Sequence, residues 1–370
     1  MKAIALYLPQ FHPIAENDEW WGPGFTEWTN VVKALPLFRG HYQPHLPADL
    51  GFYDLRVPES RQAQASLAEA HGISAFCYYH YWFNGRRLLE RPFDEVLLSG
   101  APKLPFCLCW ANESWTRRWD GNDDHALIQQ TYSVEDDVRH VEYLLRVFGD
   151  DRYIKIDDRP LFLVYRTGQL PDPAKTARIW RDRARAGGFR GLYLVSVESR
   201  PADTLPPGEI GFDAALEFAP DFSSLRRVID SRWNIRARLL SIDGRWSIRT
   251  RLRSRLMGYK FDHLVARYES LVNRALATPR VGYVRFRCVT PGWDNSPRRR
   301  RGARILVGST PQLYENWLRT VVDVTQAENW GREESIVFIN AWNEWGEGNH
   351  LEPDKRWGRA YLEATARALS

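Results

Sequence analysis

The chain has 370 residues, 44% of them hydrophobic and 26% charged, which is an ordinary globular composition long enough for one large barrel or two smaller domains. No apolar stretch approaches the ~18 residues needed to cross a bilayer, which argues against a membrane-spanning helix. The net charge is +5 and the basic residues are localised rather than spread, so the basicity is not a general solubility device.

Aromatic residues are abundant, with 16 Trp, 16 Tyr and 17 Phe, and many stand beside polar residues rather than inside apolar runs. That favours a carbohydrate or another planar-faced ligand over an aromatic-rich core alone. Met1 is followed by KAIALYLPQFHP, too short and too soon polar for a secretion signal, so a cytoplasmic chain is expected. Cys77, Cys107, Cys109 and Cys288 all sit in apolar runs without a C-x-x-C, as reduced buried thiols would. With no H-E-x-x-H or Cys/His cluster, neither a metal nor a cofactor is expected.

In chain order the sequence repeats one pattern, an apolar strand that runs into polar and aromatic residues. Ala3 to Leu8 contains Tyr7 and leads to His12; Ile73 to Tyr79 leads to His80, Tyr81 and Trp82; Pro105 to Cys109 leads to Trp110, Asn112 and Glu113. Leu161 to Tyr165 ends at Arg166, Leu192 to Val197 at Glu198, and Ala214 to Phe218 carries Glu217. Val284 to Val289 leads to Trp293 and Asp294, and a final run ends at Glu344. Helical patterns intervene at Pro58 to His71, Val134 to Phe148, Ala174 to Ala186 and Pro311 to Asn329. Eight such units predict a (β/α)8 TIM barrel, with residues 1–370 as one domain and functional residues at the carboxyl ends of the strands. A doubly wound open sheet is the alternative, but no G-x-G-x-x-G follows any strand.

The first loop, Glu16 to Leu50, is too aromatic for a disordered linker and is expected to fold across the barrel mouth. His12 just ahead of it, and Glu27, Trp28, His41, Gln43 and His45 within it, are candidate ligand contacts.

The last strand region, Ser335 to Pro353, reads SIVFINAWNEWGEGNHLEP. An apolar strand delivers Asn343, Glu344, Trp345, Glu347 and His350 into a glycine-bearing loop. Glu344 and Glu347 are three residues apart and converge on one bond if the loop curls like a helical turn. Two carboxyls so placed suit glycoside hydrolysis, one as acid and one as base or nucleophile.

The segments LPQFHPIAENDEWWGPGFTEW, FCYYHYWFNG, CLCWANESWTRRWDG, RCVTPGWDN and NEWGEGNHLEP resemble the WbsX-type family of surface-polysaccharide glycosyltransferases. That family is in turn similar to the endo-α-mannosidases and endo-α-mannanases of glycoside hydrolase family 99, chiefly through a barrel and an N-E-W-x-E-G motif, here Asn343 to Gly348. The resemblance implies catalytic roles for Glu344 and Glu347. Glu344 would be the base on a sugar 2-hydroxyl, closing a 1,2-anhydro intermediate, and Glu347 the general acid and base at the glycosidic oxygen. Such a division requires the two pKa values to be driven apart by environment.

Between the sixth and seventh strands an inserted basic segment, about residues 221–283, holds ten arginines from Arg226 to Arg255 against only Asp230 and Asp243. Arg298 to Arg301 add a further cluster, so the rest of the chain is net acidic. An inner membrane surface, an acidic polysaccharide or a pyrophosphate-linked glycan fits such a segment, as does a merely solvated helical face; no motif supports nucleic acid. Two enzyme readings are open. One is a retaining hydrolase or transglycosidase of α-linked, mannan- or rhamnan-like glycans of a bacterial surface polysaccharide, free or lipid-linked. The other is a glycosyltransferase of O-antigen, lipopolysaccharide or capsule biosynthesis, for which no nucleotide-binding signature is seen. A carbohydrate-binding module without turnover is the third reading, and the paired glutamates argue against it.

Overall fold

The structure, a computed structural model, describes residues 1–38, 40–117, 122–221, 263–299, 302–328, 331 and 333–370. The barrel strands are β1 (Lys2–Tyr7), β2 (Ala75–Phe83), β3 (Phe106–Trp110), β4 (Arg159–Val164), β5 (Tyr193–Glu198), β6 (Ala214–Glu217), β7 (Arg285–Val289) and β8 (Ile336–Ile339). Each pairs in parallel with the next, and β8 returns to β1 through Lys2↔Ile336 to Ala5↔Ile339, closing the sheet. The seam between β6 and β7 is short, with two paired positions, Ala215↔Arg285 and Leu216↔Phe286.

These strands are continuous apolar runs because helices cover one face and the barrel interior the other. In β8 all four residues, IVFI, are fully buried. The helices are α1 (Ala15–Trp21), α2 (Glu27–Val32), α3 (Pro58–Glu69), α4 (Arg91–Ser99), α5 (Val134–Phe148), α6 (Pro173–Ala186), α7 (Tyr268–Leu276), α8 (Pro311–Glu328) and α9 (Ala360–Leu369). Their starts are legible locally. Ser133 caps α5 by accepting from the Asp136 N–H, and Asp172 caps α6 through the Lys175 N–H with Pro173 at the first helical position. The four helical patterns of the sequence correspond to α3, α5, α6 and α8, whereas α1, α2, α4, α7 and α9 were not among them.

The four cysteines are free and buried in β2, β3 and β7. Most of the arginine-rich segment, residues 222–262, lies outside the described residues, as do Arg300 and Arg301. Its described remainder contains a strand, Leu264–Arg267, and α7. No helix among the described residues is long and apolar enough to cross a membrane.

Candidate active site

The loop after β8 is joined to the end of β1 by side-chain bonds that imitate strand pairing. Asn343 accepts from the Leu8 N–H at 2.7 Å and donates to the Leu8 carbonyl at 3.0 Å, fastening the loop to the end of β1. Asn343–Glu344 then pairs antiparallel with Asn349–His350. Between them Trp345–Glu347 forms one 3-10 turn, closed by Gly348 in the left-handed region at φ 56°. Positions three apart eclipse in 3-10 geometry, so Glu344 and Glu347 emerge on the same side.

Both carboxyls enter a cleft of about 890 Å³ at the barrel mouth. Trp20, Trp21, Tyr81 and Trp115 line it beside Asn17 and Gln10. Glu113, Arg200, Trp293, Asn295, Arg299 and Arg304 also reach it.

Arg298, from the β7 loop, organises the carboxylates. Its Nε donates to Glu27 at 2.7 Å, Nη2 to Glu344 at 2.8 Å, and Nη1 lies 2.9 Å from Glu347. Glu27 itself is fully buried at the start of α2. Burial pushes the Glu347 carboxyl up to about 8, against the opposing pull of Arg298 and with the help of the neighbouring Glu344 charge. Burial also raises Glu344, again opposed by Arg298. Around neutrality Glu347 therefore carries a proton available for donation.

The β7 loop is held in turn by Asp294, whose carboxylate accepts from His41 at 2.6 Å, Gln43 at 2.7 Å and the Ser296 N–H at 2.9 Å. Those bonds outweigh burial and hold its pKa below the usual range. Beneath the 3-10 turn, Trp345 stacks on His350 with ring centroids 3.7 Å apart and donates to Glu352 at 2.6 Å. Gln64 and Tyr53 also donate to Glu352, at 2.7 and 2.8 Å, while burial pushes this carboxyl up to about 7. His45 Nδ1, His350 Nε2 and Asp354 Oδ2 lie within 4.8 Å of one another, which among the described residues is the one donor group close enough to hold a cation. None of the three lines the cleft.

Of the residues singled out in the sequence, Tyr81, Glu113, Trp293, Glu344 and Glu347 line the cleft. Strand alternation sends others to the helix layer. Tyr7 donates to Gln64 of α3, His80 meets His140 of α5 at 3.0 Å, and Trp82 Nε1 lies 3.1 Å from Asp136. Trp110 packs on His140 and Trp180, and Glu217 meets Arg287, which also pairs with Glu328 of α8. Asn112, Asn343, Trp345, His41, Asp294 and His350 are buried supports, each hydrogen-bonded as a scaffold. Trp28 packs under Trp345 and donates to the Tyr53 carbonyl; His12 is buried away from the cleft. Glu27 does not line the cleft; it bonds Arg298 and lies against Gly346 beneath the turn.

The sequence reading missed the role of Arg298, visible only as one charge in a basic cluster, and of Glu352. Trp20, Trp21 and Trp115 were present in quoted stretches without an assigned role.

The family model described as Glycosyltransferase WbsX matches residues 3–365. WxcX, an uncharacterized protein of Xanthomonas campestris pv. campestris, is 44% identical over 369 residues in each of two strains. Those matches cover 99% of this chain and 49% of the relative, so the chain spans about half the length of the curated relatives it matches. Among solved structures, a GH99 endo-α-mannosidase from Bacteroides thetaiotaomicron superposes with a TM-score of 0.54 at 15% identity, over 99% of this chain and 96% of that one. At such identity the likeness speaks for the fold.

Proposed function

We propose, from the premise that this chain belongs to the Glycosyltransferase WbsX family, that it is a carbohydrate-active enzyme acting as a retaining hydrolase or transglycosidase on α-linked glycans. The observation carrying this reading is the Arg298 clamp on Glu344 and Glu347, with one carboxyl protonated near neutrality and both open to an aromatic-lined cleft. Glu347 donates its proton to the departing glycosidic oxygen. Glu344, held beside the guanidinium, takes the proton of the sugar 2-hydroxyl as that oxygen attacks the anomeric carbon and closes a 1,2-anhydro ring. Water or a sugar hydroxyl then attacks the anomeric carbon, giving its proton to Glu347, while Glu344 returns its proton to the 2-oxygen as the C1–O2 bond breaks, so the anomeric configuration is retained. The substrates in this reading are mannan- or rhamnan-like glycans of a bacterial surface polysaccharide, free or lipid-linked; a GH99 endo-α-mannosidase shares the barrel fold.

The family's name favours a second reading, transfer from a nucleotide sugar in O-antigen or capsule synthesis. Incubation with α-mannosyl and α-rhamnosyl oligosaccharides, and separately with nucleotide sugars, decides between them. Cleavage or chain transfer without nucleotide release is expected; nucleotide release coupled to glycan growth would overturn the hydrolase reading.

A further inference from the structure

Aromatic rings and guanidinium groups both line the cleft. Trp20 and Trp21 follow β1, Tyr81 belongs to β2, and Trp115 follows β3; Trp115 lies 6.0 Å from Trp20 and 5.2 Å from Tyr81 between ring centroids. Arg200 follows β5, whereas Arg299 and Arg304 belong to the β7 loop. In a closed barrel of eight strands in sequential order, β1 and β3 stand across the mouth from β5 and β7. Trp293 of the β7 loop, Tyr165 after β4 and Phe218 after β6 also line the cleft, and Arg200 reaches Glu113 after β3 at 3.2 Å, so rings and guanidinium groups are interleaved around the β8 glutamates.

The arginines are not equally committed. Arg298 is engaged by three carboxylates, and Arg200 shares Glu113 with Arg166. Arg299 makes no ion pair with a described carboxylate, although it lines the cleft and is only partly exposed. Sugar hydroxyls are served as well by amides and carboxylates. A guanidinium fork is matched instead by a planar or tetrahedral oxyanion, to which it gives two parallel charge-assisted hydrogen bonds. An aromatic wall alone accommodates a neutral ring through its C–H face.

We infer that Arg299, with Arg304 and Arg200 lining the cleft near it, centres a subsite for a sugar unit bearing an oxyanion. The substrate is then an acidic α-linked glycan whose carboxylate or phosphate group lies next to the bond served by Glu344 and Glu347. This rests on the glycosidase reading above, and it narrows the anionic partner to the cleft itself.

Binding of three probes to the 370-residue chain tests it: an α-linked mannuronate trimer, α-mannose 1-phosphate and a neutral α-mannotriose. At least one acidic probe is expected to bind about tenfold or more tightly than the neutral one, with an advantage that shrinks as salt rises. Which acidic probe binds identifies the oxyanion. Arg299→Gln with Arg304→Gln should remove that advantage and leave mannotriose binding unchanged; Arg299→Gln alone should remove part of it, and serves if the double variant does not fold. Arg183→Gln, on an exposed arginine that meets Glu142 on α5 away from the cleft, should change nothing. Equal binding of acidic and neutral probes, an advantage that survives the Arg299 substitution, or equal loss in Arg183→Gln would overturn the inference. Failure of the glycosidase reading has a separate readout, since it shows as undiminished turnover in Glu344→Gln or Glu347→Gln whatever the probes do.

Discussion

A Cβ placed on Gly346 would stand 1.8 Å from Oε1 of Glu27. The same atom would lie 2.7 Å from Nε of Arg298, so the absence of a side chain at this position lets the buried ion pair pass directly under the Trp345–Glu347 turn. Gly346→Ala is therefore expected to displace Glu27 or Arg298 and to lower both the melting temperature and the turnover, the latter at least tenfold. Gly208→Ala, where nothing lies within 4 Å, is the matched control. Equal behaviour of the two variants in thermal melts and activity assays would show that the close approach does not matter.

Arg298 neutralises a carboxylate that water does not reach. In Arg298→Gln, Glu27 loses its partner while fully buried, and breaking such a pair typically costs about 3 to 5 kcal/mol. Glu344 and Glu347 lose the charge that opposes their protonation, so turnover should fall as well. Arg298→Lys keeps the charge without the three-way fork and should recover part of the stability. Urea denaturation of both variants gives the numbers.

The two glutamates should fail differently. Loss of acid or base assistance typically costs 10² to 10⁴ in rate. Glu347→Gln is expected to harm glycosides with poor leaving groups far more than activated aryl glycosides, whose departure needs little protonation. Glu344→Gln should slow both kinds, because ring closure still requires the 2-hydroxyl oxygen to attack. Full activity of either variant on an α-linked glycan cleaved by the unaltered protein would end the assignment.

With Glu347 raised to about 8, kcat/KM should decline as pH rises through that value, because the proton needed by the leaving group is lost. Stability has a related dependence. The unfolded carboxyl gives up its proton near 4.5, so between there and about 8 the folded state holds more protons and the contribution of this group falls as pH rises. In Glu347→Gln both the alkaline limb and that part of the stability slope should disappear. A pH–rate profile paired with denaturation at pH 6 and 8 reads the two effects.

Glu352 is surrounded by donors, with Trp345 and Tyr53 on one oxygen and Gln64 on the other. Glu352→Gln would turn an amide NH₂ towards at least one of them, leaving buried donors face to face. A loss of about 1 to 3 kcal/mol is expected, with reduced activity through the Trp345 support of the turn that carries Glu344 and Glu347. An unchanged denaturation midpoint would mean that the carboxyl is held protonated and tolerates the amide.

Much of this arrangement was legible along the chain. Eight apolar runs ending in polar residues specify strands buried on both faces, and IVFI followed by NEWGEG places Glu344 and Glu347 at the end of the last one because apolar strands and glycine turns are local properties. Their separation by three residues carried their convergence too, since a 3-10 turn eclipses i and i+3. Tertiary structure decided which neighbours of each strand face the cleft. Tyr81 enters it while His80 and Trp82 turn to α5, because alternation fixes opposite faces but only barrel closure says which face is inside. It also decided that Arg298, one charge among several in the sequence, meets Glu27 from 271 positions away and Glu344 from 46. A buried carboxylate must find a counter-charge, and which arginine reaches it is set by how the loops after β1, β7 and β8 pack together.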